Sequence, residues 1–182
     1  NPQILVTGAN ATIVNLINCK IIAASGTSLV NQSSNASSQL NVFSCDGNIS
    51  GGSGTALFRN TGIGSLNLYF SSFTNTGASV TAYGISAGSG LIVSCGFNNG
   101  ISTTVTGSTI ISGTYIQNSA INASCLFTVS NAAATVTASN CYLDSGTASS
   151  VSLTGTNNTM NLTNSTLKSS NTNVIVNAGN TP

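Results

Sequence analysis

The sequence lacks histidine and tryptophan and has very few charged side chains. Its 182 residues include three Lys or Arg, two Asp or Glu and no His, which gives a formal charge of +1. Nucleic-acid binding needs clustered Lys and Arg, so this composition excludes a nucleic-acid partner. A Ser or Cys nucleophile needs a neighbouring base, and here that base cannot be His. There is also no polybasic segment and no long apolar run, so no membrane partner is expected.

The residues that are present favour an ordered β protein. Hydrophobic residues make up 40% of the chain and recur with the spacing of strands. Ser, Thr, Asn and Gly supply most of the rest, and they are poor helix formers. A surface of hydroxyls and amides with few charges suits a protein outside the cytosol or within an assembly, so we expect a virion or extracellular location.

An eight-residue motif recurs seven times along the chain, at spacings of 19 to 27 residues. Its copies are 14–21, 40–47, 66–73, 90–97, 109–116, 136–143 and 160–167. A period near 24 residues is typical of a solenoid, in which each coil buries its apolar side only against neighbouring coils. The sequence therefore predicts an all-β fold, a single-stranded parallel β-helix (β-solenoid) of about seven coils with three short strands per coil. We expect one domain over 1–182, with 1–10 and 177–182 as terminal segments.

Each copy of the motif is numbered here from position zero to position seven. Positions zero and two are mostly apolar and position one is mostly Asn, which predicts a strand with position one pointing outward. Position four holds Asn18, Asn140 and Asn164 among other small residues, with Phe70 as the exception. Asn and Gly tolerate the left-handed backbone of a sharp bend, so position four predicts a bend at which stacked Asn side chains can hydrogen-bond from coil to coil.

A further strand is expected after a Gly- or Asn-rich turn in six places. These are 29–30, 56–58, 80–82, 126–129, 151–153 and 174–176. Together with the bend and the inward aliphatic stacks, this organisation resembles the right-handed parallel β-helix of the pectin-lyase-like superfamily, which also recurs in viral and phage spikes and fibres. The resemblance covers residues 11–176 and implies a right-handed coil. It does not carry over the family's lyase activity, which uses clustered Asp with calcium and a basic residue, and no such cluster occurs here, so we expect no cofactor and no metal.

Position five holds only Cys, Ser or Thr. Its residues are Cys19, Cys45, Ser71, Cys95, Thr114, Cys141 and Ser165. One interpretation is an inward ladder of free thiols that pack as small hydrophobic groups. Another is a disulfide between Cys19 and Cys45, since strands about 4.8 Å apart bring adjacent coils within disulfide range. A soft-metal site is the third, although no His exists to complete it. The odd count of five cysteines argues against a full disulfide framework.

The two carboxylates are expected to lie too far apart to act together. Asp46 and Asp144 are four coils apart in the expected fold, about 19 Å, whereas glycoside hydrolysis needs a separation of about 5 to 9.5 Å. We therefore expect a protein that is not an enzyme. Lys20 falls beside Asp46, and Lys168 beside Asp144, on adjacent coils, so these pairs mark the register and contribute about 0 to 1 kcal/mol each.

Position three is apolar in the first four copies of the motif and polar afterwards. The apolar residues are Ile17, Phe43, Tyr69 and Val93. Strand parity points them outward as an apolar stripe, the alternative being that the bend tucks them inward. Exposed apolar surface usually marks a contact site, so we expect self-association, a trimer being one form, or docking on a larger protein shell. The terminal coils leave unpaired edges, which partners or further chain should cover.

Two functions fit these features. The first is a structural component of a virion or other extracellular assembly, such as a β-helical fibre, spike or capsid-associated protein. The second is a secreted adhesin or carbohydrate-binding module, in which the ladder of Asn15, Asn41 and Asn67, with Tyr115 and Tyr142, contacts glycans. Ice binding ranks lower, because regular outward Thr ladders are missing. Glycosylation sequons occur no more often than this composition gives by chance. Their number therefore permits attached sugars but does not indicate them.

Overall fold

The computed structural model describes thirteen stretches of the chain. They are residues 4–23, 27–49, 56–75, 80–85, 89–98, 101–105, 108–112, 115–117, 125–129, 135–144, 149–153, 159–168 and 175–177. Every regular element in these stretches is a β-strand, and all strand pairs are parallel. The expectation of an all-β, parallel fold is therefore confirmed.

The strands form three sheets that the chain visits in turn. The first sheet contains, in order, β1 (Ile4–Val6), β4 (Thr27–Asn31), β7 (Ala56–Asn60), β10 (Val80–Ile85), β13 (Ile101–Val105), β16 (Cys125–Val129), β19 (Ser149–Leu153) and β22 (Ile175–Asn177). The second contains β2 (Ile13–Ile17), β5 (Gln39–Phe43), β8 (Ser65–Tyr69), β11 (Ser89–Val93), β14 (Ser108–Ser112), β17 (Thr135–Ser139) and β20 (Thr159–Thr163). The third contains β3 (Lys20–Ala23), β6 (Asp46–Ile49), β9 (Ser72–Asn75), β12 (Gly96–Asn98), β15 (Tyr115–Gln117), β18 (Tyr142–Asp144) and β21 (Thr166–Lys168). Each strand except the outermost ones thus pairs with the third strand before it and the third after it.

The register of the second sheet follows the sequence motif. Position zero of every copy is the Cα partner of position zero in the next copy, from Val14 with Leu40 through to Val136 with Met160. This holds even where the spacing falls to 19 residues or rises to 27, so the differences in length are absorbed outside the motif. The predicted register is confirmed across all seven copies.

Two strands of the first sheet were not anticipated from the sequence. β1 lies inside the segment expected to be terminal, and it pairs with β4 through Ile4 to Val6. β13 pairs with β10 and β16, in a stretch where the repeat predicted no strand. Of the expected strand at 174–176, residue 174 lies outside the described residues.

The apolar core lies between the three sheets. Leu40, Val42 and Leu66, at positions zero and two, are fully buried. The rings of Phe58 in the first sheet and Phe73 in the third meet edge to face with centroids 4.9 Å apart, so these two sheets share one interior. Burying each large side chain of this kind contributes about 1.5 to 3 kcal/mol. The interior is therefore the main source of stability.

The turn from the first sheet to the second carries a buried polar cluster. Asn31 Nδ2 donates to the carbonyl of Ser65 (2.9 Å), and Asn31 Oδ1 accepts from the backbone N–H of Ser33 (3.1 Å). The hydroxyls of Ser33 and Ser38 are 2.7 Å apart, and both side chains are fully buried. Gly64 completes the cluster, because a Cβ there would collide with the carbonyl oxygen of Ser38. Successive turns are thereby held together by side chains as well as by backbone.

The first strand of the second sheet, β2, is less well packed than the next one, β5. It is the outermost member of its sheet, as β1 and β3 are of theirs. Val14 and Leu16 are half-buried, whereas their partners Leu40 and Val42 are fully buried. This end of the sheets therefore leaves apolar side chains partly open to solvent.

Candidate interaction face and position-five column

A left-handed residue ends every described strand of the motif at position four. Positive φ angles of 46° to 53° occur at these residues, which are Asn18, Ser44, Phe70, Ser94, Asn140 and Asn164. Gly113, at the same position, lies outside the described residues. Asn adopts this conformation more readily than other residues with a side chain, whereas for a bulky residue such as Phe it is an outlier. The bend between the second and third sheets is therefore made by the same backbone conformation in each described coil, whatever the residue.

This bend leaves one backbone donor in each coil for a side chain to satisfy. The N–H at position four bonds to the carbonyl of position three in the next coil, as from Ser44 to Tyr69 (3.0 Å). The N–H at position six bonds back to the carbonyl of position five in the preceding coil, as from Ser72 to Cys45 (2.9 Å). The N–H at position five lies between these two and bonds to a side chain instead.

Position-five side chains form a directional hydrogen-bond column, which we name the position-five column. The N–H of Cys19 donates to Cys45 Sγ (3.3 Å), and the N–H of Cys45 donates to Ser71 Oγ (3.0 Å). The N–H of Ser71 bonds to the Cys95 thiol. Each side chain in turn donates to the carbonyl of its own position three, as Ser71 Oγ does to Tyr69 (2.8 Å). Cys45 and Ser71 thus each accept one hydrogen bond through the side chain and donate another.

The column continues at the other end of the second sheet. The N–H of Cys141 donates to Ser165 Oγ (3.2 Å), and that hydroxyl donates to the carbonyl of Thr163 (2.9 Å). Thr114 belongs to the same position but lies outside the described residues. Only Cys, Ser and Thr combine a small side chain with one donor and one acceptor, which explains why no Ala or Val occurs at this position. Packing of small hydrophobic groups is therefore an incomplete account of the column.

The described thiols of the column are free. Cys19 is half-buried, Cys45, Cys95 and Cys141 are buried, and none of the four forms a disulfide in the structure. Burial raises the pKa of the Cys95 thiol to about 11 and also raises the pKa of Cys45. No group of three or more Cys, Asp or Glu among the described residues is placed to hold a metal ion. Cys125 starts β16 of the first sheet and lies outside the column.

The apolar residues of position three lie on the outer side of the second sheet. Ile17 is 59% exposed, while Phe43, Tyr69 and Val93 are half-buried. The rings of Phe43 and Tyr69 stack almost in parallel, with centroids 4.6 Å apart and an interplanar angle of 8°. We name these four residues the outer stripe. Further along the sheet Ser139 is half-buried and Thr163 is exposed, and the side chain of Ser112 lies outside the described ones.

Phe70 extends the outer stripe with a ring that the sequence did not assign to it. Its side chain is 63% exposed, and its ring centroid lies 6.5 Å from that of Tyr69. Sequence reasoning noted Phe70 only as an exception at the bend. The missed signal is that an aromatic residue at a left-handed bend points its ring into solvent, next to the preceding residue of the stripe.

A ladder of amides runs beside the outer stripe at position one. Asn67 Nδ2 donates to Asn41 Oδ1 (2.8 Å), and Asn41 Nδ2 donates to Asn15 Oδ1 (2.9 Å). The second hydrogens of the two amides face Ser65 Oγ (3.2 Å) and Gln39 Oε1 (3.4 Å). Asn15 is exposed, but Asn41 and Asn67 are buried, which corrects the expectation of a solvent-facing ladder. Their donors are used within the protein, so little remains for an outside ligand.

Four of the five charged residues follow the register that the sequence predicts. Lys20 is the Cα partner of Asp46, and Asp144 is the Cα partner of Lys168. The strands that carry Asp46 and Asp144, β6 and β18, are separated by three other strands of the third sheet. At about 4.8 Å per strand, the backbones of these two residues lie about 19 Å apart along the sheet.

None of the described residues belongs to a helix that is long and apolar enough to cross a membrane. Comparison of the chain with protein-family models, with curated proteins and with solved structures found no match in any of the three.

Proposed function

We propose that the three sheets wind into a single right-handed β-helix of seven coils, of the pectin-lyase-like type, and that the protein is a structural component of a virion or other extracellular assembly. The strict rotation of the strands through the three sheets supports the winding. In this proposal the chain is not an enzyme. The separation of Asp46 from Asp144 supports that part, because no pair of carboxylates at catalytic distance can form within one chain.

One observation carries the proposed role, namely the conformation and exposure of Phe70. Its φ of 50° is unfavourable for a bulky residue, at a cost of about 1 to 2 kcal/mol. A ring that is 63% exposed recovers little of this cost by burial. Strained residues that persist at a surface are concentrated at functional sites. We therefore assign Phe70 and the outer stripe to an interface.

A second copy of this chain is the partner that fits the outer stripe best. The stripe is apolar, runs along the direction in which the strands stack, and contains no charged residue. Copies arranged around an axis parallel to that direction would bring their stripes together along their whole length, as in a trimer. Docking on a larger protein shell would use the same stripe without this symmetry.

The experiment replaces Phe70 with Asn, the residue at the same position in three other coils. Sedimentation equilibrium should show that the wild type associates and that Phe70→Asn is monomeric. Urea unfolding of the monomeric state should show equal or greater stability for the variant, because Asn tolerates the left-handed conformation. A residue kept only for stability could not give this combination.

The matched control is Ile63→Asn. Ile63 is 54% exposed and lies in the turn between the first and second sheets, away from the outer stripe. This change removes a similar apolar surface and should leave association unaltered. A wild type that stays monomeric at high concentration, or a Phe70→Asn variant that associates normally, would refute the proposed interface.

A carbohydrate-binding role is the second candidate, favoured by one observation. Tyr115 and Tyr142 are Cα partners on adjacent strands of the third sheet, a spacing that suits stacking against a sugar chain. Binding on a glycan array that is lost in Tyr142→Ala would support this role over the first. A wild type that is monomeric in solution would also favour the carbohydrate-binding role over the structural one.

A further inference from the structure

The position-five column brings two cysteines together at the partly open first coil. Ile17 with Phe43, and Lys20 with Asp46, are Cα partners on the strands that flank Cys19 and Cys45. The two cysteines therefore stand one strand spacing apart, about 4.8 Å, which lies within the range of Cα separations that a disulfide bridges. The Cys45 sulfur already lies 3.3 Å from the backbone nitrogen of Cys19.

This pair differs from every other pair in the column. Ser71 separates Cys45 from Cys95, so those two are two strand spacings apart and out of reach of a disulfide. Cys95 and Cys141 are likewise separated by the coil that contains Thr114. Among the thiols of the column, only Cys19 and Cys45 occupy adjacent coils.

Cys19 has the freedom that bond formation needs. It is half-buried, and β2 and β3 on either side of its bend are the outermost strands of their sheets, so no further strand among the described residues pairs on that side. Its thiol donates a long hydrogen bond to the carbonyl of Ile17 (3.4 Å). Rotation of the Cys19 side chain toward Cys45 would therefore break little, and the Cys45 sulfur would still accept from the N–H of Cys19.

We propose that Cys19 and Cys45 are a disulfide-forming site, oxidised by small-molecule disulfides such as glutathione disulfide. The Cys19 thiolate attacks glutathione disulfide, forms a mixed disulfide and releases one glutathione thiolate. Cys45, after losing its proton to solvent, attacks the Cys19 sulfur and expels the second glutathione. Two protein thiols are oxidised and one glutathione disulfide is reduced to two thiols, so atoms and electrons balance.

The second step is the slower one. Cys45 is buried, which raises its pKa, so few Cys45 thiolates exist at neutral pH. Closure should accelerate as the pH rises, whereas formation of the mixed disulfide at the more exposed Cys19 should come first. Once formed, the bond joins the bend after β2, whose Val14 and Leu16 are half-buried, to the bend after β5, whose Leu40 and Val42 are fully buried.

The test incubates the full chain with glutathione disulfide at pH 8, blocks the remaining thiols and analyses the products by mass spectrometry. Before the mass of the blocking groups is added, the expected product is lighter than the reduced protein by about 2 Da, and it yields a linked peptide pair containing Cys19 and Cys45. Its melting temperature should exceed that of the reduced protein by about 5 to 10 °C, since the bond closes a loop of about 26 residues.

Two variants keep the outcome clear. Cys45→Ser preserves both hydrogen bonds of the column, so the protein should fold and stop at a glutathione adduct on Cys19. Cys95→Ser should react like the wild type. The proposal is overturned if the wild type also stops at the adduct, or if the linked peptides join other cysteines. The result is independent of the proposed function, because it does not depend on association.

Discussion

Replacing Ser71 with Ala would test the position-five column directly. Ser71 is 3% exposed, and its hydroxyl accepts from the N–H of Cys45 at 3.0 Å and donates to the carbonyl of Tyr69 at 2.8 Å. The Tyr69 carbonyl keeps a second partner in the N–H of Ser44, so it stays satisfied without the hydroxyl. The N–H of Cys45 loses its acceptor while remaining buried. A buried donor left without a partner costs about 1 to 3 kcal/mol, and this is the expected loss in the free energy of unfolding.

Urea unfolding under reducing conditions would measure that loss, and hydrogen exchange would locate it. The Cys45 amide should exchange faster in Ser71→Ala, while amides of distant coils keep their protection relative to global unfolding. Ser71→Cys should recover most of the stability, because the thiol can accept and donate in the same places, as it does at Cys45. Ser72→Ala is the matched control, since Ser72 is exposed and its loss should change stability by less than about 0.5 kcal/mol. If Ser71→Ala and Ser72→Ala were equally stable, the column would have no energetic role.

Three further outcomes are expected. Gly64→Ala should lower the free energy of unfolding, measured by urea titration, by about 1 to 3 kcal/mol, because the added Cβ meets a backbone carbonyl that cannot move aside. Gly96→Ala is the control. The nearest contact of its added Cβ is at 3.8 Å, so this change should be neutral or slightly stabilising in the same titration. The free energy of unfolding of the wild type should fall as the pH rises from 9 to 11, by up to about 1.4 kcal/mol per pH unit, because the folded pKa of Cys95 lies above its unfolded value. Cys95→Ser should show a shallower pH dependence in the same titration. An unchanged slope in this variant would refute Cys95 as the origin. Asn41→Ala should lower the free energy of unfolding by about 1 to 3 kcal/mol. Its effect should be non-additive with that of Asn67→Ala in a double-mutant cycle, because the two amides share a hydrogen bond. Simple additivity would contradict the ladder.

The second and third sheets could be predicted from the sequence because their chemistry repeats at fixed positions. Positions zero and two alternate with polar residues, which gives the strand, and position four is mostly Asn or Ser, which gives the bend. These signals were strong enough to set the register from Val14 to Met160 despite unequal spacing. The first sheet was harder to predict. Its strand β13 is ISTTV, where three hydroxyl residues obscure the alternation, and β1 has only three residues.

The details of the interaction face needed coordinates. Strand parity placed Asn41 and Phe43 on the same side, but it could not show that Asn41 is buried there beneath its neighbours while Phe43 stacks on Tyr69. The ring of Phe70 escaped notice because a bend residue belongs to neither strand. The Cys, Ser and Thr of position five were visible as a pattern in the sequence. That side chains such as Cys45 and Ser71 accept an amide hydrogen from the preceding coil depends on the left-handed bend and so emerges only in three dimensions.

The position-five column also makes the two ends of the stack chemically unequal. The amide hydrogens of Cys19, Cys45 and Cys141 are each satisfied by a side chain encoded some two dozen residues further on, so the missing partner of a shortened chain depends on which end is cut. Truncation at the carboxyl end removes the acceptor of the last remaining coil, so a backbone N–H there loses its hydrogen-bond partner. Truncation at the amino end merely leaves a sulfur or hydroxyl without an incoming hydrogen, a far milder defect. Nested deletions should therefore be tolerated better from the amino side.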